Sequence, residues 1–201
     1  MSKPPPPRRL ILASSSPYRR ALLERLHIPF TVMIPGIDET PFTGETPAQT
    51  ALRLAEAKAR EVARSEPEAL IIGSDQVATL DGRQIGKPGN HAAALAQLQM
   101  MRGREVEFHS ALCLYDGLSA TAQTADVITH VTFRDLPDAE LDAYLHTEQP
   151  YDVAGSAKSE ALGFALLSAI RSDDPTALVG LPLITLTGML HQTGFKLFPS
   201  L

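Results

Sequence analysis

Three separated groups of polar residues carry the side chains that could do chemistry in this sequence. The first is Ser14, Ser15, Ser16, Arg19 and Arg20. A helix start offers free backbone N–H groups, hydroxyls beside it add donors, and an arginine fork matches a phosphate. The same residues also make an ordinary helix cap followed by two solvated arginines. They are not a P-loop, because the Gly-rich run ending in Lys and Ser or Thr is missing.

The second group is acidic and basic. Asp75 follows the apolar run 69–72, and the C-terminal edge of an α/β sheet is where loops build ligand sites. A carboxylate there could take a proton from water or hold Mg²⁺, which prefers oxygen ligands; a plain strand-ending turn would use the same residue. Asp38 and Glu39 are open to the same two readings. Lys87, between Gly86 and Pro88, could neutralise phosphate charge, and Lys58 interrupts an Ala-rich helical face from which it could reach a polar pocket. The third group, Gly155-Ser156-Ala157-Lys158-Ser159-Glu160, supplies donors and acceptors suited to a polar ligand or to a solvent loop.

Other chemistries find little support. The six histidines are scattered and none sits in HExxH, and no GxSxG elbow is present. Cys113 is the only cysteine, which excludes an intrachain disulfide and a multi-cysteine zinc site, and its apolar setting ALCLY points to a buried thiol. With 18 Lys and Arg against 23 Asp and Glu, a net charge of −5 argues against broad DNA binding while leaving room for a local anion pocket. Aromatic residues make up 5% and Trp is absent, so an extended base-stacking platform is not expected. No stretch reads as a membrane span or a secretion signal, which makes the cytoplasm the expected location.

The elements that must position these groups follow from pattern. Four consecutive prolines, Pro4 to Pro7, predict a flexible, extended lead over residues 1–9, with a single domain over 10–201. Residues 10–13 read as a buried strand, with Ser16 as N-cap and Pro17 at the first position of a helix running to residue 26. Residues 30–44 read as a loop or weak strand. Thr46, Pro47 and Gln49 form a capping-box signature for a helix over 47–63. A short strand is expected over 69–72, a helix over 90–101, paired strands over 106–115 and 124–133, a helix over 137–146, and a last helix over 178–190 despite Pro182. This order predicts an α/β fold with a mixed sheet.

Taken together and in order, the segments LILASSSPYRRALL, DET (38–40), LRLAEAKA (52–59), IIGSDQV (71–77), GKP (86–88), AGSAKSE (154–160) and LVGLPL (178–183) resemble the Maf-like nucleotide pyrophosphatase family. The resemblance covers residues 10–190. It implies a mixed twisted sheet with flanking helices around a central nucleotide-binding cleft, similar to the inosine triphosphatases, and a homodimer. The expected reaction is hydrolysis between the α and β phosphates of a nucleoside triphosphate. Asp75 would activate water, with a divalent cation, Mg²⁺ or Mn²⁺, contacted by Glu39 and Asp75. Ser14, Ser16, Arg19, Lys58, Lys87 and Lys158 would bind the triphosphate.

Within the family the chain looks most like the branch that hydrolyses 7-methylguanosine triphosphate, through Tyr18, Gln76 and Glu160 as specificity residues. That branch often has Trp where Tyr18 stands and an aromatic residue where Ala157 stands. N7 methylation leaves guanine positively charged, so an aromatic face and a carboxylate both favour it. Gln76 would either read the base edge or orient Asp75. Neither a stable nucleic acid complex nor a membrane partner is expected. The competing readings are a pyrophosphatase for UTP, TTP or other noncanonical nucleotides, and a nucleotide-binding regulator of cell division without useful turnover.

Overall fold

A computed structural model of the chain describes residues 8–198. The expected proline-rich lead lies, through residue 7, outside the described residues. Arg8 is held: its guanidinium forks onto Asp116 with two contacts of 2.6 Å. Arg9 meets Glu66 at 2.8 Å.

The elements are β1 (Leu10–Ala13), α1 (Pro17–Glu24), β2 (Thr31–Met33), α2 (Pro47–Ala63), β3 (Leu70–Leu80), β4 (Arg83–Ile85), α3 (His91–Met101), β5 (Glu105–Asp116), β6 (Thr121–Phe133), α4 (Asp138–Glu148), β7 (Leu167–Ser172) and α5 (Leu183–Gln192). One mixed seven-stranded sheet runs β2-β1-β3-β5-β6-β7, with β4 also on β3. The pairs of β1 with β2 and β3 are parallel and the remaining pairs are antiparallel. The expected α/β fold with a mixed sheet and flanking helices is therefore present.

The helix starts follow local chemistry. The Ser16 side chain accepts from the Arg19 amide with Pro17 at the first position, and Thr46 and Gln49 exchange both hydrogen bonds of a capping box. Alternation along β3 and β5 divides the core between two faces. Ile71, Val77, Ala111, Cys113 and Tyr115 pack under α2. On the other face Leu70, Ile72, Leu112 and Leu114 meet leucines of α1 and α5. Phe108, Val131 and Phe133 continue into a third cluster with α3 and α4. Cys113 is fully buried, and burial pushes its thiol up to about 12. No helix among the described residues is long and apolar enough to cross a membrane.

Three sequence expectations change. The strand expected to end at residue 72 continues to Leu80, so Asp75 lies inside a strand instead of in the turn after one. The polar run Ser74-Asp75-Gln76 hid this, because its strand state is fixed by pairing with β5 and not by apolar pattern. The last helix begins at Leu183 and not at residue 178, with Pro182 as its N-cap. Proline disfavours helix in the residue before it. Residues 177–179 instead form a 3₁₀ turn closed by Gly180 at φ 112°. The short strands β4 and β7 carry little periodic signal and exist through pairing with β3 and β6.

Candidate active site

The register of β3 creates the opening in which the site lies. On one side β5 pairs with β3 from Leu70 to Thr79. On the other side β1 pairs only through Gly73, and β4 begins only at Ala78. Residues 74–77 therefore have a partner strand on one edge alone. The turn after β1 and the loop after β4 flank this gap, and a cleft of about 430 Å³ opens there, within the usual range for small-molecule sites.

Asp75 and Lys58 meet at the base of this cleft. Lys58 lies on the α2 face that also carries Ala51, Leu54, Ala55 and Val62, so the helix delivers a buried ammonium toward β3. Its Nζ is 2.7 Å from Asp75 Oδ1 and 3.0 Å from Glu39 Oε1. The other Asp75 oxygen, Oδ2, accepts no hydrogen bond from a described residue. Glu39 and Asp75 thus converge on one cation, and Asp75 keeps one oxygen for a ligand. Asp38 is turned away from this group and accepts from the Thr40 amide at 2.9 Å.

The first serine group folds over the same end. Ser14 is buried, and its Oγ accepts from the Ser16 amide at 3.1 Å and from Arg19 Nη1 at 3.5 Å. Arg19 Nε donates to the Gly180 carbonyl at 2.8 Å. Desolvation lowers the Arg19 pKa from its ordinary value, with the Asp75 and Glu39 carboxylates acting against it. Arg20 points elsewhere and pairs with Glu24 on the surface at 2.9 Å. Lys87 lines the cleft from the exposed loop after β4.

Gln76 points to the opposite face of β3 from Asp75. Its Nε2 donates to Ser110 Oγ at 2.9 Å, to the Ala177 carbonyl at 3.1 Å and to the Leu178 carbonyl at 3.0 Å. These acceptors fix the amide orientation, so the group left for a ligand is the Gln76 carbonyl oxygen. The side chain makes no hydrogen bond to Asp75, which removes the reading in which Gln76 orients the carboxylate.

Tyr18 and Glu160 line another part of the cleft with Asp152. The Tyr18 hydroxyl donates to Asp152 Oδ2 at 3.2 Å. Burial, then Asp152, pushes this phenol up to about 12, so it stays a neutral donor. Lys158 is not among the lining residues. Its ammonium stands 3.8 Å from Asp152 and 3.9 Å from Glu148.

Several positioning residues escaped the sequence reading. Asp152 sat in an unremarkable polar stretch. Gln97 on α3 donates to the Gly86 carbonyl at 2.9 Å and accepts from Ser156 Oγ at 2.7 Å, joining the Lys87 loop to the 154–160 segment. Asp174 is buried and accepts from the amides of Thr176, Ile184 and Thr185, fixing the loop that presents the Ala177, Leu178 and Gly180 carbonyls. Ser110 carried a signal, being a hydroxyl in an apolar strand run. Asp174 and Gln97 carried none, since their partners are distant in sequence.

The chain belongs to the Maf-like protein family, whose profile matches residues 9–193. Among its relatives is a protein of Paraburkholderia xenovorans, 70% identical over 188 residues that make up 92% of each chain. Another, from Burkholderia orbicola, is 71% identical over 92% of this chain and 90% of its own. A third, from Ralstonia nicotianae, is 68% identical over 92% of this chain and 96% of its own. All three are named 7-methyl-GTP pyrophosphatase.

Proposed function

We propose that this chain is a nucleoside triphosphate pyrophosphatase that hydrolyses 7-methylguanosine triphosphate to its monophosphate and pyrophosphate. The names of relatives at about 70% identity support the substrate. The observation that carries the chemistry is the Lys58–Asp75 contact at the base of the cleft. It ties down one carboxylate oxygen and leaves the other to take a proton from water. Water then bonds to the α phosphorus, the bond from that phosphorus to the α–β bridging oxygen breaks, and its electron pair leaves on pyrophosphate.

Arg19, Lys58 and Lys87, with Ser14 and Ser16, are the groups that would hold the triphosphate and stabilise the charge that develops on it. Lys158, paired with Glu148 and Asp152, would act from outside the lining. The donor set suits a hard divalent cation, because Glu39 and Asp75 offer carboxylate oxygens around one point and substrate phosphates supply more. Mg²⁺ or Mn²⁺ held by these two residues would add neutralisation of phosphate charge.

The base end fits a cation. Asp152 and Glu160 give the cleft negative charge beside the Tyr18 ring, which suits a guanine made positive by N7 methylation. The Gln76 carbonyl and the Glu160 carboxylate are acceptors, matching the N–H edge of guanine.

Pyrophosphate release from 7-methylguanosine triphosphate, GTP, UTP and TTP, with and without Mg²⁺ or Mn²⁺, tests the proposal. Selective, metal-dependent release from the methylated nucleotide is expected. Asp75→Asn should lower turnover by about 10²–10⁴-fold while the chain stays folded. Equal rates across the panel would overturn the base reading, and wild-type turnover in Asp75→Asn would overturn the role of that carboxylate.

A further inference from the structure

His91, Asp142 and His146 form a compact group outside the cleft, with ligand atoms all within 4.8 Å of one another. His91 is the first residue of α3, and Asp142 and His146 are four apart on α4, so they share one face of that helix. His91 Nε2 stands 2.7 Å from Asp142 Oδ1, and His146 Nδ1 stands 3.3 Å from Asp142 Oδ2. The two imidazole centroids are 4.5 Å apart.

The surrounding contacts show which ring nitrogens are available to a metal. Tyr151 Oη lies 3.3 Å from the Leu145 carbonyl, which can only accept, and 3.0 Å from His91 Nδ1. With the hydroxyl proton on that carbonyl, His91 Nδ1 donates to Tyr151 and Nε2 of the neutral ring carries the lone pair. His146 Nδ1 lies 2.9 Å from the Asp142 backbone carbonyl, which also can only accept, leaving Nε2 of His146 as the second lone pair. Each ring thus has its N–H spent on an oxygen, the arrangement that orients a metal-bound histidine.

In that tautomer His91 Nε2 and Asp142 Oδ1 face each other as two acceptors; in the other, Nε2–H donates to Asp142 and Tyr151 donates to Nδ1. A divalent ion taking the place of the proton between them would use both groups, and the second imidazole alongside offers a third ligand. We propose that His91 Nε2, an imidazole nitrogen of His146 and the Asp142 carboxylate bind a borderline divalent ion of the Zn²⁺ class, with water completing the shell. Tetrahedral ligands at about 2.0–2.1 Å from zinc stand about 3.3 Å apart, so the 2.7 Å contact must open by roughly half an ångström. Partly exposed side chains can make that adjustment. Two nitrogens and one oxygen suit Zn²⁺, Co²⁺ or Ni²⁺ far better than Mg²⁺.

Such an ion would clamp the start of α3 to α4. Tyr151, which orients His91, also accepts the Gly89 amide on its backbone carbonyl at 3.0 Å. The clamp therefore borders the loop that carries Lys87, yet it uses no residue of the cleft and does not depend on the proposed reaction.

The test is calorimetric titration of the metal-free full chain with Zn²⁺ in excess Mg²⁺, which occupies hard carboxylate sites. One Zn²⁺ per chain is expected, with a melting temperature that rises with Zn²⁺ concentration. His146→Gln, at an exposed position, should keep its fold and its Mg²⁺-supported turnover while losing Zn²⁺ affinity by about a hundredfold. Tyr151→Phe should weaken binding by roughly 10–100-fold. Absence of a stoichiometric Zn²⁺ site in the wild type, or unchanged Zn²⁺ affinity in His146→Gln, would overturn the proposal.

Discussion

Gly73 on β3 approaches Ala55 on α2 so closely that a β-carbon on Gly73 would lie 2.0 Å from the Ala55 carbonyl oxygen. It would also lie 3.0 Å from the Ala59 amide nitrogen. Ala51, Ala55 and Ala59 are all fully buried, so small residues on both partners let the helix settle onto the strand. That close seat is what allows Lys58 to reach Asp75, two residues beyond Gly73. The Gly73→Ala substitution would press against backbone, which cannot yield as a flexible side chain would. A thermal melt should show a loss of about 1–3 kcal/mol, the usual cost of overpacking. Turnover should fall further than the loss of folded protein explains, because α2 and Lys58 move together; an unchanged melt and rate would refute this account.

Gln97 joins two loops that the sequence separates, through the Gly86 carbonyl and the Ser156 hydroxyl. Gly86 precedes Lys87, and Ser156 lies in the segment that carries Glu160. Ser156 is itself at φ 53°, a conformation costly for a residue with a side chain and held here by its neighbours. Gln97→Ala removes both bonds without touching the Asp75 group. Steady-state kinetics should show KM raised about tenfold with kcat within about threefold of wild type, the pattern of lost uniform binding. A selective fall in kcat would mean that Gln97 acts on the chemical step instead.

The contrast between these contacts and the helix caps explains what the sequence could reveal. Ser16 with Pro17, and Thr46 with Gln49, bond within three residues, so their roles are written in adjacent letters. Lys58 was legible as the one charge on an alanine face. Asp75 was legible by type but misplaced, because the polar run 74–76 interrupts the apolar pattern while β5 keeps the backbone extended. β4 and β7 were hidden for the related reason that short strands are defined by a partner. The cleft itself follows from a register offset, β1 stopping opposite Gly73 and β4 starting opposite Ala78, and no local pattern encodes that.

Asp174 shows how a distant carboxylate can replace a local cap. Pro182, the N-cap of α5, makes no side-chain cap bond, and Asp174 Oδ2 instead accepts from Ile184 at 2.7 Å and Thr185 at 3.2 Å. Its Oδ1 takes the Thr176 amide and hydroxyl. The loop so fixed presents the Gly180 carbonyl to Arg19 and Ser74, and the Ala177 carbonyl to Gln76 and Ser110. Asp174→Ala leaves several buried donors without partners, each costing about 1–3 kcal/mol. Denaturant unfolding should register a loss of at least about 3 kcal/mol, with Asp174→Asn recovering part of it. If Asp174→Ala unfolds like the wild type, the loop is held by something other than this carboxylate.

The Arg8–Asp116 fork makes a pH-dependent contribution to stability. The Arg8 guanidinium holds the Asp116 carboxyl down to about 2, against an ordinary value of 3.8, and the Ser119 and Leu118 amides act in the same direction. The unfolded chain therefore takes up this proton first as pH falls, and stability drops with it. The contribution is complete above the unfolded value and disappears between about pH 4 and pH 2. Because Arg8 precedes β1 and Asp116 ends β5, the fork ties the chain start to the β5–β6 turn. Asp116→Asn should accordingly be less stable than wild type at pH 7, with the gap closing on acidification toward pH 2. Chemical denaturation of both proteins across that range measures the gap, and a gap that stays constant would show that the fork does not stabilise the fold through its charge.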